Sequence, residues 1–171
     1  LERDYPQFSP DGKEVAFIED RNRLMVVTLD TKKVRQVTDG STWYTRFGGF
    51  DYSWSPDGKW FTLEFIGNKH DPYSDIGLVS GEGKGEIINL TNSGYTSGSP
   101  RWVMGGNAIL FITERYGMRN HASWGSLNDV MIAFLNQDAY DKFRLSKEVY
   151  ELKKELENQQ EKAAKKDDKA S

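Results

Sequence analysis

A hexamer constrains this chain more than any other feature. Phe8, Ser9, Pro10, Asp11, Gly12, Lys13 returns as Trp54, Ser55, Pro56, Asp57, Gly58, Lys59, 46 positions later. Proline presets φ for the first central position of a β-turn, aspartate suits the second, and glycine accepts the positive φ that a Cβ resists. The aromatic would close an inner strand and the lysine would open the next. A degenerate third copy follows as Trp102, Val103, Met104, Gly105, Gly106, Asn107, with Gly105 and Gly106 in place of the Asp and Gly of the turn. Pro6, Tyr52 and Pro100 stand two residues before the three aromatics. Three copies in phase define a repeat protein.

Between these turns lie short stretches that alternate, as at Glu14 to Glu19 and Val34 to Thr38, or are continuously apolar, as at Leu24 to Leu29 and Ala108 to Thr113, and they read as strands. The first unit, residues 1–40, predicts strands from Tyr5 to Phe8, Glu14 to Glu19, Leu24 to Leu29 and Val34 to Thr38. After a linker from Ser41 to Gly49, the second, residues 41–95, predicts Phe50 to Trp54, Trp60 to Ile66, Asp75 to Ser80 and Glu86 to Thr91. Leu90, Thr91, Asn92 closes it as Val37, Thr38, Asp39 closes the first. The third, residues 96–136, predicts strands from Pro100, from Ala108 to Thr113 and from Asp129 to Leu135, with Asp75, Ile76 and Asp129, Val130 opening equivalent strands. Where a fourth strand is due, residues 137–171 turn helical and highly charged instead. A short helix is expected from Gln137 to Arg144. Ser146 then caps a second helix with a narrow stripe of Val149, Leu152 and Leu156. Fraying or partial disorder is expected beyond about Gln160, where little apolar area offsets ordering entropy; two heptads of a coiled coil are the alternative.

Four-stranded antiparallel meanders at this period are the mark of β-propeller blades. The fold class expected is therefore all-β: two four-stranded blades, an incomplete third and a charged C-terminal α-helix. A blade cannot bury its own two apolar faces and must stack on neighbours. Two and a half blades leave end faces bare, so the chain is expected to need further blades or to self-associate.

Composition sets outer bounds. Of 171 residues, roughly 145 carry the fold, since the last stretch is too polar to add to a core. A net charge of −3 with mixed signs argues against nucleic acid and against a basic membrane-seeking face, and leaves peptide or protein as the expected ligand. The absence of cysteine excludes disulfides, thiolate metal sites and a cysteine nucleophile. No apolar run approaches the ~18 residues of a spanning helix, so no membrane insertion is expected. The start at Leu1, mid-pattern, reads as a piece cut from a longer protein.

Candidate chemistry has a plainer reading at each place. His70, Asp71 and Asp75 would suit a metal or a base with its carboxylate, but read as solvated residues of a hairpin loop. His121, Ser123 and Ser126 share a loop without an acid at defined spacing or a nucleophile elbow. Asp11 and Asp57 are accounted for by their turns. Trp43, Tyr44, Phe47, Trp54, Trp60, Trp102 and Trp124 could stack on bases or sugars, but are read as packing between blades, with Trp43, Tyr44 and Trp124 the exceptions on connections. Asn89, Leu90, Thr91 matches a glycosylation sequon, with Thr91 already fixed by the repeat. No catalytic, metal-binding or cofactor-binding residue is assigned. The assigned residues are the structural turns Pro10, Asp11, Gly12, Pro56, Asp57, Gly58, Gly105 and Gly106.

The signature at 8–13 and 54–59, with Val37, Thr38 and Leu90, Thr91 closing the units, resembles the WD-like propeller repeat of the TolB and tricorn proteins. It also occurs in propellers of prolyl oligopeptidase and dipeptidyl peptidase relatives. Residues 128–156, where strand Asp129 to Phe134 leads through Ala139, Tyr140, Asp141, Lys142 and Phe143 into a Lys/Glu-rich helix, are similar to the late propeller of bacterial tricorn-type serine peptidases, in which a charged helical insertion interrupts a blade. Val149 departs from that pattern by replacing an acidic residue of the capping box. The resemblance implies a noncatalytic scaffold and peptide filter, partnered by the remaining blades and by peptidase domains outside this chain. It also implies an exported or periplasmic protein, with the cytoplasm as the alternative. A TolB-like binding module without a peptidase and the propeller of a prolyl oligopeptidase relative remain the other readings.

Overall fold

The computed structural model describes residues 2–44, 48–67, 72–83, 85–117 and 126–167. Three antiparallel sheets follow one another along the chain. The first holds β1 (Arg3–Phe8), β2 (Glu14–Glu19), β3 (Arg23–Thr28) and β4 (Val34–Gln36) in the order β1-β2-β3-β4. The second holds β5 (Tyr52–Trp54), β6 (Trp60–Phe65), β7 (Asp75–Ser80) and β8 (Ile88–Asn89) in the same order. The third has three strands, β9 (Ser97–Val103), β10 (Ala108–Thr113) and β11 (Asp129–Phe134), with β10 in the middle. These are two complete propeller blades and an unfinished one.

Blade stacking buries what no single blade could. Ala16, Ile18, Leu24, Val26 and Val37 of the first blade meet Tyr52, Trp54, Phe61, Leu63, Phe65 and Val79 of the second in one core. Ile76 of the second blade meets Ile109 and Phe111 of the third in another, with Leu78, Trp102, Met131 and Ala133 packed around them. Side chains alternate across a strand, so β7 sends Val79 to one core and Ile76 and Leu78 to the other. That explains why its sequence is apolar at both parities. Gly77 in this strand is required by space, because a Cβ there would lie 2.4 Å from Ile87 Cγ2.

The fourth strands are shorter than the sequence pattern predicts, and the inner strands begin differently. Ladder pairing in β4 ends at Gln36 because the next bonds involve side chains: Leu24 N–H donates to the Thr38 hydroxyl at 2.9 Å, while Val37 N–H still reaches Leu24 O at 2.8 Å. β8 stops for the same reason, with Ile76 N–H donating to Thr91 Oγ1 at 3.1 Å. β1 and β9 each begin before their predicted start and carry a register shift. Tyr5 (φ +54°) and Ser99 (φ +51°) sit at these irregularities in the left-handed region, as β-bulges commonly require.

Residues Phe134–Ser171 form a second compact unit. Asn136 caps α1 (Gln137–Phe143) by accepting the Ala139 amide at 2.8 Å. Phe134 packs its ring against Tyr140 and Phe143. Ser146 Oγ accepts Val149 N–H at 3.4 Å at the start of α2 (Lys147–Asp167). The helix runs to Asp167. Ala163, Ala164 and the interleaved Lys and Glu are strong helix formers. Lys142 Nζ meets Glu157 across the two helices at 2.8 Å.

Candidate functional site

The two Ser-Pro-Asp-Gly corners are superimposable in their bonding. Gly12 N–H closes the first turn on Ser9 O at 2.9 Å, and Gly58 N–H closes the second on Ser55 O at 2.9 Å. Ser9 Oγ donates to Asp11 at 2.7 Å and accepts Glu14 N–H at 3.0 Å. Ser55 repeats this with Asp57 and Trp60. Each aspartate also accepts the amide of the following lysine at 3.1 Å. The serine hydroxyl and that amide hold Asp11 and Asp57 below the usual carboxylate range. Gly12 and Gly58 have φ of +71° and +70°. In the third copy Gly105 (φ +65°) and Gly106 (φ +93°) turn the chain, closed by Asn107 N–H on Met104 O. The corners stack from blade to blade: Pro10 lies against Gly58 and Pro56 against Gly106. A cleft of about 350 Å³ opens between the first two, lined by Ser9, Pro10, Asp11, Glu14, Pro56 and Asp57.

Polar bonds cross each blade boundary along the inner strands. Trp54 Nε1 donates to Gln7 O at 3.3 Å and Trp102 Nε1 to Ser53 O at 3.1 Å. Gln7 Nε2 returns a bond to Tyr52 O at 2.9 Å, and Tyr52 donates its hydroxyl to Tyr5 O. Burial pushes the Tyr52 phenol far up. Toward the outer rim, Arg35 pairs its guanidinium with both Glu14 oxygens and gives its Nε–H to Gly81 O of the second blade at 2.8 Å. Arg35 is the main reason the Glu14 carboxyl is lowered.

One charged cluster lies where the second and third blades meet. Glu64 Oε1 accepts Ser99 N–H at 2.6 Å, Ser99 Oγ donates to Asp51 at 3.2 Å, and Arg101 stands 3.8 Å from the same carboxylate. Burial pushes Glu64 up, opposed by the Ser99 amide and reinforced by Asp51. Asp51 and Arg101 are exposed, so the cluster offers both signs of charge beside the inner strands and suits contact with a peptide backbone or termini. No sequence signal marked these four residues: Glu64 N–H on Asp51 O at 2.8 Å joins the first two, and the third blade meets them at the bulge of Ser99.

The sequence candidates for chemistry are dispersed. His70, Asp71, His121, Ser123, Phe47 and Trp124 lie outside the described residues. Asp75 is buried, not solvated as its placement in a loop suggested. It accepts Thr91 Oγ1–H, Asn89 Nδ2–H at 2.9 Å and Ser93 N–H at 3.3 Å, locking the fourth strand of its blade. The signal that could have found this was the pairing of Asp75 with a closing Leu90, Thr91, Asn92. Asn89 of the sequon spends its amide in this lock. Among the described residues, no three His, Cys, Asp or Glu side chains gather as a metal site. Trp43 packs on the first core with its ring 6.0 Å from Phe50, whereas Tyr44 and Trp60 are exposed.

No protein-family model matches the chain. Over 116 residues it is 28% identical to the uncharacterized peptidase YuxL of Bacillus subtilis, covering 61% of this chain and 16% of that protein. Over 108 residues it is 26% identical to a protein of Sulfurisphaera tokodaii named as a tricorn-like protease C-terminal subunit, covering 63% of this chain and 12% of the relative. The chain therefore spans under a fifth of the length of either. Among solved structures, the tricorn protease superimposes with a TM-score of 0.60 at 16% identity, over 80% of this chain and 14% of that one. TolB from Acinetobacter baumannii gives 0.57 at 18%, over 80% and 30%. A prolyl endopeptidase gives 0.56 at 21%, over 80% and 21%. The curated relatives are named as peptidases, and the solved neighbours share the fold of a β-propeller segment.

Proposed function

We propose that this chain is a noncatalytic propeller portion of a tricorn-like serine peptidase, serving as scaffold and as a filter for peptides cut by domains outside it. The observation that carries the reading is the stack of repeated blades, bonded to each other along their inner strands and interrupted by a charged helical pair where the third blade lacks a strand. Two relatives named as peptidases, each far longer than this chain, support it. The cluster of Asp51, Glu64, Ser99 and Arg101 supplies exposed charges of both signs near the inner strands, as a surface that handles peptides requires. By the same resemblance the protein is exported or periplasmic, and its repeat is of the WD-like kind.

Two measurements test this. Incubated with a peptide library, the chain is expected to leave every peptide intact; turnover blocked by a serine-directed inhibitor would overturn the noncatalytic role. Reading the gene beyond residue 171 is expected to give a PDZ-like segment and a serine peptidase domain. A stop codon after a closed ring would favour the TolB-like binding module instead, which the TolB superposition supports at the level of fold.

A further inference from the structure

A second opening between the first two blades lies away from their inner strands. One wall is the end of the first blade with the linker, residues 37–42, and the other is the end of β6 with residues 85–87 of the second blade. Together they enclose about 450 Å³, within the span of roughly 300–1,000 Å³ common to ligand sites. Hydrogen bonds hold both walls: Val37 N–H reaches Leu24 O at 2.8 Å, Thr42 Oγ1 donates to Asp39 O at 3.0 Å, and Ile66 N–H crosses from the second blade to Thr42 O at 3.0 Å. Val37, Phe65, Ile66 and Ile87 give the opening an apolar lining. Among the described lining residues Asp39 and Glu86 alone carry charge; both are acids and both are exposed. The hydroxyl and amide of Ser41 bond to Asp39 and hold its carboxyl below the usual carboxylate range, so it is ionised at neutral pH. Residues 85–87 precede β8 and stand outside its ladder, which starts at Ile88. Their main chain therefore runs along the opening without pairing in the sheet.

We propose that this interblade opening docks an extended peptide segment that carries an aliphatic residue and, two positions from it, a lysine or arginine. The aliphatic side chain enters between Val37, Ile66 and Ile87, where its apolar area leaves water. Side chains of an extended segment alternate, so the next one on the same face is two positions away. That side chain stays at the mouth, beside Asp39 and Glu86. The sign of the charge commits the occupant: an acidic segment meets two like charges, and a neutral one gains nothing from either. Exposed ion pairs contribute little each, so the apolar contact supplies most of the affinity and the two acids select against the wrong sign. The inference does not rest on the peptidase reading. Glu64 and Phe65 point to opposite faces of β6, so this opening shares no residue with the cluster of Asp51, Glu64, Ser99 and Arg101.

The test titrates the whole 171-residue chain with the peptide acetyl-Lys-Gly-Leu-Gly-Lys-amide and follows valine and isoleucine methyl signals by NMR. Saturable shifts at Val37, Ile66 and Ile87 are expected, with a Kd of about 1 mM or tighter. The peptide with glutamate in place of both lysines is expected to bind about tenfold more weakly at low salt, and the gap to narrow at about 0.5 M salt. Serine in place of the leucine is expected to weaken binding about tenfold or more. Glu86→Lys is expected to cut the lysine peptide's advantage over the glutamate peptide at least about threefold. Glu86 is exposed and the peptide series leaves the protein unchanged, so a folding defect cannot hide the result. No shift at the three residues up to about 10 mM peptide, equal affinity for the lysine and glutamate peptides at low salt, or an unaltered preference in Glu86→Lys would each overturn the site. Shifts confined to the surroundings of Asp51 and Arg101 would overturn it too, while supporting the filter reading.

Discussion

The indole N–H of Trp102 donates to the carbonyl of Ser53 across the second blade boundary at 3.1 Å, and Trp54 repeats the bond to Gln7 across the first. The residue before each repeat aromatic thus receives the aromatic of the next blade. Blade order and blade spacing are fixed by the same atoms that close the inner strands. Phe8 stands at the position of these tryptophans, and it is 69% exposed against 7% for Trp54. What differs is the neighbour, since no described blade precedes the first.

Replacing Trp54 with Phe keeps an aromatic ring in the core and removes the donor to Gln7 O together with part of the indole volume. A loss of about 0.5–1.5 kcal/mol is expected, read from urea unfolding midpoints with an unchanged slope. Trp54→Ala also opens a cavity and is expected to cost about 3–5 kcal/mol. Equal stability of Trp54→Phe and the parent would show that neither the interblade bond nor the lost ring volume contributes.

The buried hydroxyl of Ser55 bridges the Trp60 amide and the Asp57 carboxylate. Ser55→Ala leaves that amide without its partner and is expected to cost about 1–3 kcal/mol. Ser9→Ala breaks the equivalent bonds in the first blade and is expected to fall in the same range. Thermal melts of the two variants check both; a neutral result for either would mean that its corner is held by the proline and glycine alone.

Arg35 connects blades by holding Glu14 with one part of its guanidinium and Gly81 O with another. Arg35→Ala is expected to destabilise by about 1.5–3 kcal/mol, and Arg35→Lys to recover little, since an ammonium cannot make the forked contact. Because Glu14 is lowered on folding, mainly by Arg35, the pair contributes in full above the ordinary glutamate value. Its contribution is lost as pH falls through the lowered one. The gap between parent and Arg35→Ala is therefore expected to close on acidification, followed by urea midpoints across the acid range.

Glu64 has the opposite sign. Its burial raises the carboxyl in the folded chain, so the native state holds its proton more tightly than the unfolded state does. Stability falls as pH rises from the ordinary glutamate value through the raised one, and stays lower above it. Glu64→Gln can still accept the Ser99 amide without carrying a charge. The variant is expected to be more stable than the parent at about pH 8, with the gain shrinking at about pH 4. A variant less stable than the parent at the higher pH would show that attraction to Arg101 outweighs burial.

Phe8 presents an uncovered aromatic on the first blade. Phe8→Ser is expected to change unfolding free energy by no more than about 0.5 kcal/mol while reducing self-association in sedimentation velocity. If the parent is already a compact monomer at low micromolar concentration, the uncovered face does not drive assembly.

Local chemistry was legible without coordinates. Pro10, Asp11, Gly12 and their copies dictate their corners through φ preferences that need no distant partner, and the bounds of β2, β7 and β10 follow from short apolar stretches set between turns. The end of β4 did not, because a Thr38 hydroxyl takes over from the ladder, and Asp75 read as a solvated loop residue because its partners lie 14 to 18 positions on.

The sequence by itself determined that the chain is built of repeated antiparallel meanders with stacked apolar faces, since period and turn chemistry are written in consecutive residues. Tertiary structure alone decided which carbonyl each indole reaches and that Glu64 and Asp51 meet Ser99 and Arg101. Those outcomes depend on atoms brought together from different blades, whose separation along the chain carries no local signal.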